Sequence, residues 1–249
     1  MSQLHSAVSF VGLERLSGSR FELGMLAYPS KDINLIVARI SSMKQLGITE
    51  LSVREVTGRL ELFVLGKGVR GVVVLGLMDG LKVAVKLMRT DSAVKSMRKE
   101  ADMHRVANSI NIGPKLIGWT DEMIVLEYVE GVKLGELLLN PQPDMLRTVA
   151  ANILDQCHTM DANGFDHGQL TDSSDHVIVS QPCKPRIIDF SHSSTTRKPS
   201  NVTSFVSYLT RARRHYNDPH LIEHLRTYKQ SFSRKNFERV KQTVLTMFE

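Results

Sequence analysis

The chain has 249 residues, 42% of them hydrophobic and 23% charged, with a formal net charge of +6 at pH 7. That is enough apolar material for one large domain or two fused lobes, and it excludes a peptide-sized scaffold. No run approaches the roughly 18 consecutive apolar residues of a membrane span, the opening MSQLHSAVSFVGLERLSG lacks the features of a secretory leader, and Cys157 and Cys183 are too isolated for a disulfide framework or a zinc site; a soluble, cytoplasmic protein with no membrane partner is the expectation.

Residues 1–57 read as a helical N-terminal extension, because Ile33, Leu35, Ile36, Ala38, Ile40, Met43 and Leu46 loosely follow a helical stripe after the Pro29-Ser30 break. Over residues 59–88 the texture changes. The runs LELFVLG, GVVVLGLM and KVAVKLM, punctuated by glycines and an Asp79-Gly80 turn, predict a three-stranded antiparallel meander. A helix is expected over about residues 92–110, ended by the breakers Asn111-Ile112-Gly113-Pro114, and two short strands at KLIGWT and MIVLEYV. Beyond Gly131 the pattern is mostly helical, over residues 133–139, 145–163 and three segments starting near Asn201, Pro219 and Arg234. One interruption, between Asp166 and Phe190, holds a loop, the strand HVIVS, a Pro-containing turn and the strand RIID. The expected fold class is α+β in two lobes: a small β-rich N-lobe over residues 58–130 and a mostly helical C-lobe over residues 131–249.

Charge is uneven along the chain. Residues 197–249 carry eleven Lys/Arg against four Asp/Glu, so the basic character belongs to the C-terminal helices. Such a face suits RNA, a ribosome or an acidic partner, and equally suits the solvated side of amphipathic helices.

The string Gly66-Lys67-Gly68-Val69-Arg70-Gly71-Val72-Val73 is a full G-x-G-x-x-G-x-V between two predicted strands. Glycines let a backbone approach phosphates and admit positive φ, although a Gly-rich hairpin without a ligand reads the same. β-branched residues follow the last glycine where a dinucleotide-binding turn needs a helix. In Val83-Ala84-Val85-Lys86 a lysine stands fifteen residues past Gly71 on an apolar strand. There it must snorkel out or meet an anion, since an unpaired buried ammonium is costly. Glu100, fourteen residues further on the next helix, is placed to hold Lys86 toward a phosphate. Arg186-Ile187-Ile188-Asp189-Phe190-Ser191 ends an apolar strand in a carboxylate, a natural Mg²⁺ ligand or a turn cap. Order adds weight: Gly loop, strand lysine, helix glutamate, a hinge-like Glu127-Tyr128-Val129-Glu130-Gly131, a His-containing loop, then the Asp, as phosphoryl transfer from ATP uses them.

On these motifs, over about residues 60–195, the chain resembles the protein kinase superfamily, and more closely its compact atypical branch, akin to the RIO kinases and the kinase subunit of the KEOPS complex. The loop Asp166-His167-Gly168-Gln169-Leu170 is similar to that of the predicted serine/threonine protein kinases of archaea. The resemblance implies a bilobal protein-kinase-like fold and an ATP-dependent serine/threonine kinase with Mg²⁺, or Mn²⁺, as cofactor. It implies that Lys86 meets the α/β-phosphates, that Glu100 pairs with it, and that Gly66, Gly68 and Gly71 cover the triphosphate. Lys67, Val73 and Ala84 belong to the same nucleotide-binding set, Glu127 and Val129 offer backbone to adenine, and Asp189 holds the metal.

The loop departs from that family. Gln169 stands where an Asp orients and deprotonates the attacking hydroxyl, and Ser174 where an Asn binds a second Mg²⁺. An amide cannot be a general base at neutral pH, but its carbonyl can accept a hydrogen bond from the nucleophile, and a loose transition state leaves most catalysis to positioning and charge neutralisation. Nearby carboxylates are expected to compensate, Asp166 as a base and Asp175 as a metal ligand, with turn or capping roles as the alternative. Asp172 offers a further carboxylate inside the loop. His167 reads as a brace, and residues 197–203 as a basic turn entering a capped helix or meeting a substrate phosphate. Two other functions stay open: an ATP-binding pseudokinase, and an RNA- or ribosome-binding module using Arg211, Arg213 and Arg214, against which stands the lack of an aromatic-rich strand platform. The motifs leave the protein substrate unidentified.

Overall fold

The computed structural model describes residues 8–16, 21–139, 142–213 and 218–248. The chain divides into two compact units, the first made of Met1–Ala101 and Lys115–Tyr128, the second of Asp102–Pro114 and Val129–Glu249. The architecture is mixed α+β, with a large, mostly antiparallel sheet and seven α-helices among the described residues.

The first unit is a nine-stranded sheet with one long helix of its own. Its strands are β1 (Ser9–Gly12), β2 (Phe21–Glu22), β3 (Ile48–Val56), β4 (Arg59–Leu62), β5 (Val64–Lys67), β6 (Gly71–Met78), β7 (Leu81–Met88), β8 (Leu116–Trp119) and β9 (Met123–Glu127). Their order is β2-β4-β3-β6-β7-β9-β8, with β1 added on β3 and β5 on β6. The turn between β6 and β7 has both central residues at positive φ, Asp79 at 49° and Gly80 at 75°, the two-residue geometry that matches strand twist.

The expected helical extension over residues 1–57 is corrected: among its described residues only α1 (Ile33–Gln45) is a long helix, and Ile48–Val56 is an interior strand between β4 and β6. The reason is local. Asp32 caps α1, its side chain accepting from the amides of Asn34 and Leu35, and Gly47 at φ 88° stops it in a conformation that a side chain rarely adopts. Ile48, Leu51 and Val53 then bury with Leu26 and Met43 in one apolar cluster. The run LELFVLG is likewise two strands, since β4 pairs with β3 and β5 with β6. Arg39, 2% exposed, ties α1 to the sheet by donating to the carbonyls of Leu26 (2.6 Å) and Met88 (2.7 Å) and pairing with Glu122.

Helix α2 (Arg98–Ser109) begins in the first unit and ends in the second. The second unit holds a small sheet, β10 (Val132–Lys133), β11 (Val177–Ser180) and β12 (Lys184–Ile187), and helices α3 (Leu134–Leu139), α4 (Pro143–Ala162), α5 (Asn201–Ala212), α6 (Pro219–Ser231) and α7 (Arg234–Leu245). Leu146, Val149, Ala150, Ile153, Leu154, Cys157 and Met160 recur every third or fourth residue along α4 and form its buried stripe. They pack with Phe165, Phe190, Phe205 and Phe237 into one core. No helix among the described residues is long and apolar enough to cross a membrane.

Several basic side chains of the C-terminal helices are spent internally. Arg211 donates to the Thr171 carbonyl, Arg213 donates to the Met247 carbonyl at 3.0 Å, and Lys241 pairs with Asp155 at 2.6 Å. Arg214 lies outside the described residues.

Candidate functional site

In the first unit, β5 and β6 form the Gly-rich hairpin, closed by a hydrogen bond from the Gly68 amide to the Gly71 carbonyl at 2.9 Å. A Cβ on Gly66 would meet nothing within 4 Å. One on Gly71 would lie 2.9 Å from the Leu87 carbonyl and 3.2 Å from the Lys86 side chain, so this glycine makes room for the lysine stem. Lys86, on β7, stands opposite Val73 of β6 and Ile124 of β9. Alternation puts Val73, Ala84 and Lys86 on one face of the sheet. The Lys86 ammonium donates to Glu100 Oε1 at 2.6 Å, and both residues are 7% exposed. The structure thus brings Lys86 and Glu100 together as a buried ion pair.

Lys67 lies against an aromatic ring. Its ammonium lies 3.6 Å from the centroid of the Tyr28 ring, which the Arg89 guanidinium also approaches at 4.9 Å. A hydrogen bond from Lys67 holds the Tyr28 hydroxyl below its ordinary pKa. Arg89 further donates to the Gly68 carbonyl at 3.2 Å, and its own amide to the Arg70 carbonyl at 3.0 Å. The Gly-rich turn is therefore held from outside the motif by Tyr28 and Arg89, two residues the motif does not contain. Glu127 turns its carboxylate to the Lys115 amide at 3.1 Å, while its backbone pairs in the sheet. Val129 is half-buried and belongs to the second unit.

In the second unit, Asp189 follows β12 with φ 64° and is half-buried, its Oδ1 accepting from the Ser191 amide at 3.2 Å. Phe190 is buried among the rings of His104, Phe165 and His167, with centroids 4.8, 5.6 and 5.4 Å away. Gly113, at φ 78°, is required there, since a Cβ would come within 2.5 Å of the Phe190 ring.

His167 is buried and ties its loop to the strand end by donating from Nε2 to the Ile188 carbonyl at 3.0 Å. Burial presses its pKa down to about 4, so the ring is neutral at pH 7. Its Nδ1 is then a lone-pair acceptor, and no hydrogen-bond donor reaches it among the described residues. Gln169 presents a second orphan: its Oε1 is buried with no hydrogen-bond partner among the described residues. An unmet buried acceptor is unfavourable unless a donor arrives from elsewhere.

Two expected carboxylates already have partners of their own. Asp166 is 2% exposed, and its oxygens accept from Arg197 Nε at 2.5 Å, the Ser200 amide at 2.9 Å and the Ser200 hydroxyl at 3.3 Å. A carboxylate held by a guanidinium and two further donors braces its loop, with its oxygens already engaged. Arg197 crosses Gly168, whose φ of 84° and 2.7 Å separation between an added Cβ and the His192 carbonyl leave no room for a side chain. Asp175 is exposed and paired with Lys133 at 2.6 Å, so an ammonium already neutralises it. Asp172 accepts from the Ser174 hydroxyl at 2.6 Å, which lowers its pKa.

For Mg²⁺, the carboxylate that fits is Asp189, a hard oxygen donor fixed by a backbone amide; Asp175 as paired does not. Among the described residues no group of three or more His, Cys, Asp or Glu is arranged to hold a metal ion by itself. No protein-family model matches the chain, and no curated protein matches it.

Proposed function

We propose that the chain is an atypical ATP-dependent serine/threonine protein kinase of bilobal kinase-like fold, transferring the γ-phosphoryl group of ATP to a protein hydroxyl, its own included. The observation that carries this reading is the buried Lys86–Glu100 pair beside the Gly-rich hairpin. Well-packed apolar residues would serve stability as well or better than a buried ion pair. A retained ammonium, oriented by a carboxylate and given room by Gly71, suits an anion that is bound in use. The Gly66–Gly71 turn and Lys86 would then hold the triphosphate, with the backbone of Glu127 and Val129 at adenine. Bound at Asp189, Mg²⁺ or Mn²⁺ supplies neutralisation of phosphate charge.

The Gln169 amide oxygen, which in its buried position has no partner among the described residues, is the acceptor assigned to the attacking hydroxyl once the side chain turns outward. The hydroxyl oxygen bonds to the γ-phosphorus as the bond to the β–γ bridging oxygen breaks, ADP departs, and the proton passes late to a phosphoryl oxygen. In a loose transition state that late transfer needs no strong base. The amide at position 169 and the saturated Asp166 also favour a second reading, ATP binding without transfer.

Single-turnover transfer from labelled ATP separates the two, with wild type run beside Lys86→Ala and Asp189→Asn. The kinase reading expects transfer in wild type and a drop of at least about 100-fold in each variant. A wild-type rate no higher than theirs leaves nucleotide binding alone.

A further inference from the structure

A buried hydrogen-bonded chain runs through the second unit from α6 to the loop that carries Gln169. Asn201, at the start of α5 and 1% exposed, accepts from the His167 amide at 2.8 Å and donates to the Phe165 carbonyl at 2.7 Å. It thereby clamps the backbone on both sides of Asp166. Asn201 is itself held by Asp161 of α4, whose Oδ1 accepts from the Asn201 side chain and amide, both at 2.8 Å. Oδ2 of Asp161 accepts from the Val202 amide at 3.1 Å and from the Tyr228 hydroxyl at 3.0 Å. The Tyr228 oxygen lies 3.1 Å from Nδ1 of His158, whose ring stacks on Phe237 with centroids 4.3 Å apart.

Directions follow from the chemistry. Burial and Asp161 push the Tyr228 hydroxyl up, so it stays protonated and donates to the carboxylate. Its oxygen then accepts from His158, which must carry its proton on Nδ1. Asp161 is 2% exposed and receives four hydrogen bonds, none from a cation. Removing any one donor leaves buried charge less satisfied, and the carboxylate has to re-aim. The first group to feel that is Asn201, and through it the amide of His167, two residues before Gln169.

We propose that Tyr228 is a positioning residue: through Asp161 and Asn201 it fixes the loop that presents the Gln169 amide. As a statement about phosphoryl transfer it rests on the kinase reading; as a statement about loop order it does not. Tyr228 touches no reacting group. Its hydroxyl sets the geometry of one that does, in a chain of contacts whose every member is buried.

The test is Tyr228→Phe, which keeps the ring against Phe232 and Phe237 and removes the hydroxyl. Val244→Ala is the control, an equally buried change in α7 outside the chain. Amide hydrogen exchange read by mass spectrometry should rise over residues 165–170 in Tyr228→Phe by about tenfold beyond any global change, and not in Val244→Ala. Transfer should show kcat lowered about tenfold with KM for ATP within twofold. Exchange that rises evenly over the second unit, or not at all over residues 165–170, overturns the proposal. If wild type transfers no phosphoryl group while the exchange responds as expected, the kinase reading fails and the positioning of the loop by Tyr228 stands.

Discussion

Lys86 and Glu100 show how much a single position can reveal. An ammonium on a sheet face shared with Val73 and Ala84 is tolerable because a carboxylate lies 2.6 Å away. Lys86→Ala should therefore destabilise the protein by about 3 to 5 kcal/mol. Lys86→Ala paired with Glu100→Ala should recover part of that loss, because the buried carboxylate that paired with the ammonium is removed with it. Urea denaturation of the single and double variants checks this, and a single variant as stable as wild type would mean that the pair is not buried in solution. Both residues are legible in the sequence, since a lysine in a β-branched run and a glutamate on the following helix are local features. The fates of Asp166 and Asn201 are not. Their partners in these bonds stand 31 to 40 residues away, and a loop carboxylate looks the same in sequence whether a base or a brace.

Among the elements, the C-terminal helices change most in meaning between sequence and structure. Their positive surplus reads as an RNA-facing surface, yet Arg211 and Arg213 are tied to the carbonyls of Thr171 and Met247. Arg213 also lies 4.6 Å from the centroid of the Phe248 ring, so it seals the chain's final turn against α5. Arg213→Ala should cost about 1 kcal/mol and lower the melting temperature by about 2 to 4 °C. It should leave the salt dependence of any nucleic-acid binding unchanged; a salt slope reduced by about one would return this side chain to a phosphate. Strand β3 was hidden for a related reason. The helical stripe of α1 runs up to Leu46, and the stop signal is Gly47 alone, whose left-handed backbone a hydrophobic pattern does not report.

For the whole molecule, the buried neutral histidine of the loop makes stability depend on pH with a definite sign. The His167 pKa is about 4 in the fold against an ordinary 6.5, so the unfolded chain binds the proton more readily. Its contribution is complete above pH 6.5 and is lost as the pH falls through 4, by about 3 kcal/mol in all. Urea midpoints taken from pH 7 to 4 should fall less steeply in His167→Gln than in wild type; equal slopes would show that this ring is not the group responsible. The mixed α+β class was legible throughout, because alternation and helical spacing are written in every ten residues. The neighbours β5, β6 and β7, joined by short turns, were legible as well, but the long-range pairings were not, since contacts such as β3 with β6 join segments separated by other strands.

That pairing bears on how the protein can be trimmed. A fragment cut at Arg59, where the nucleotide-type motifs begin, would strip β4 of both neighbours, β2 and β3, and leave Gly76 to Met78 of β6 with open amide and carbonyl groups. Exposed rails of that kind recruit other chains, so such a fragment is a recipe for aggregates. What looks like a preface to the motifs is the middle of the sheet that supports them.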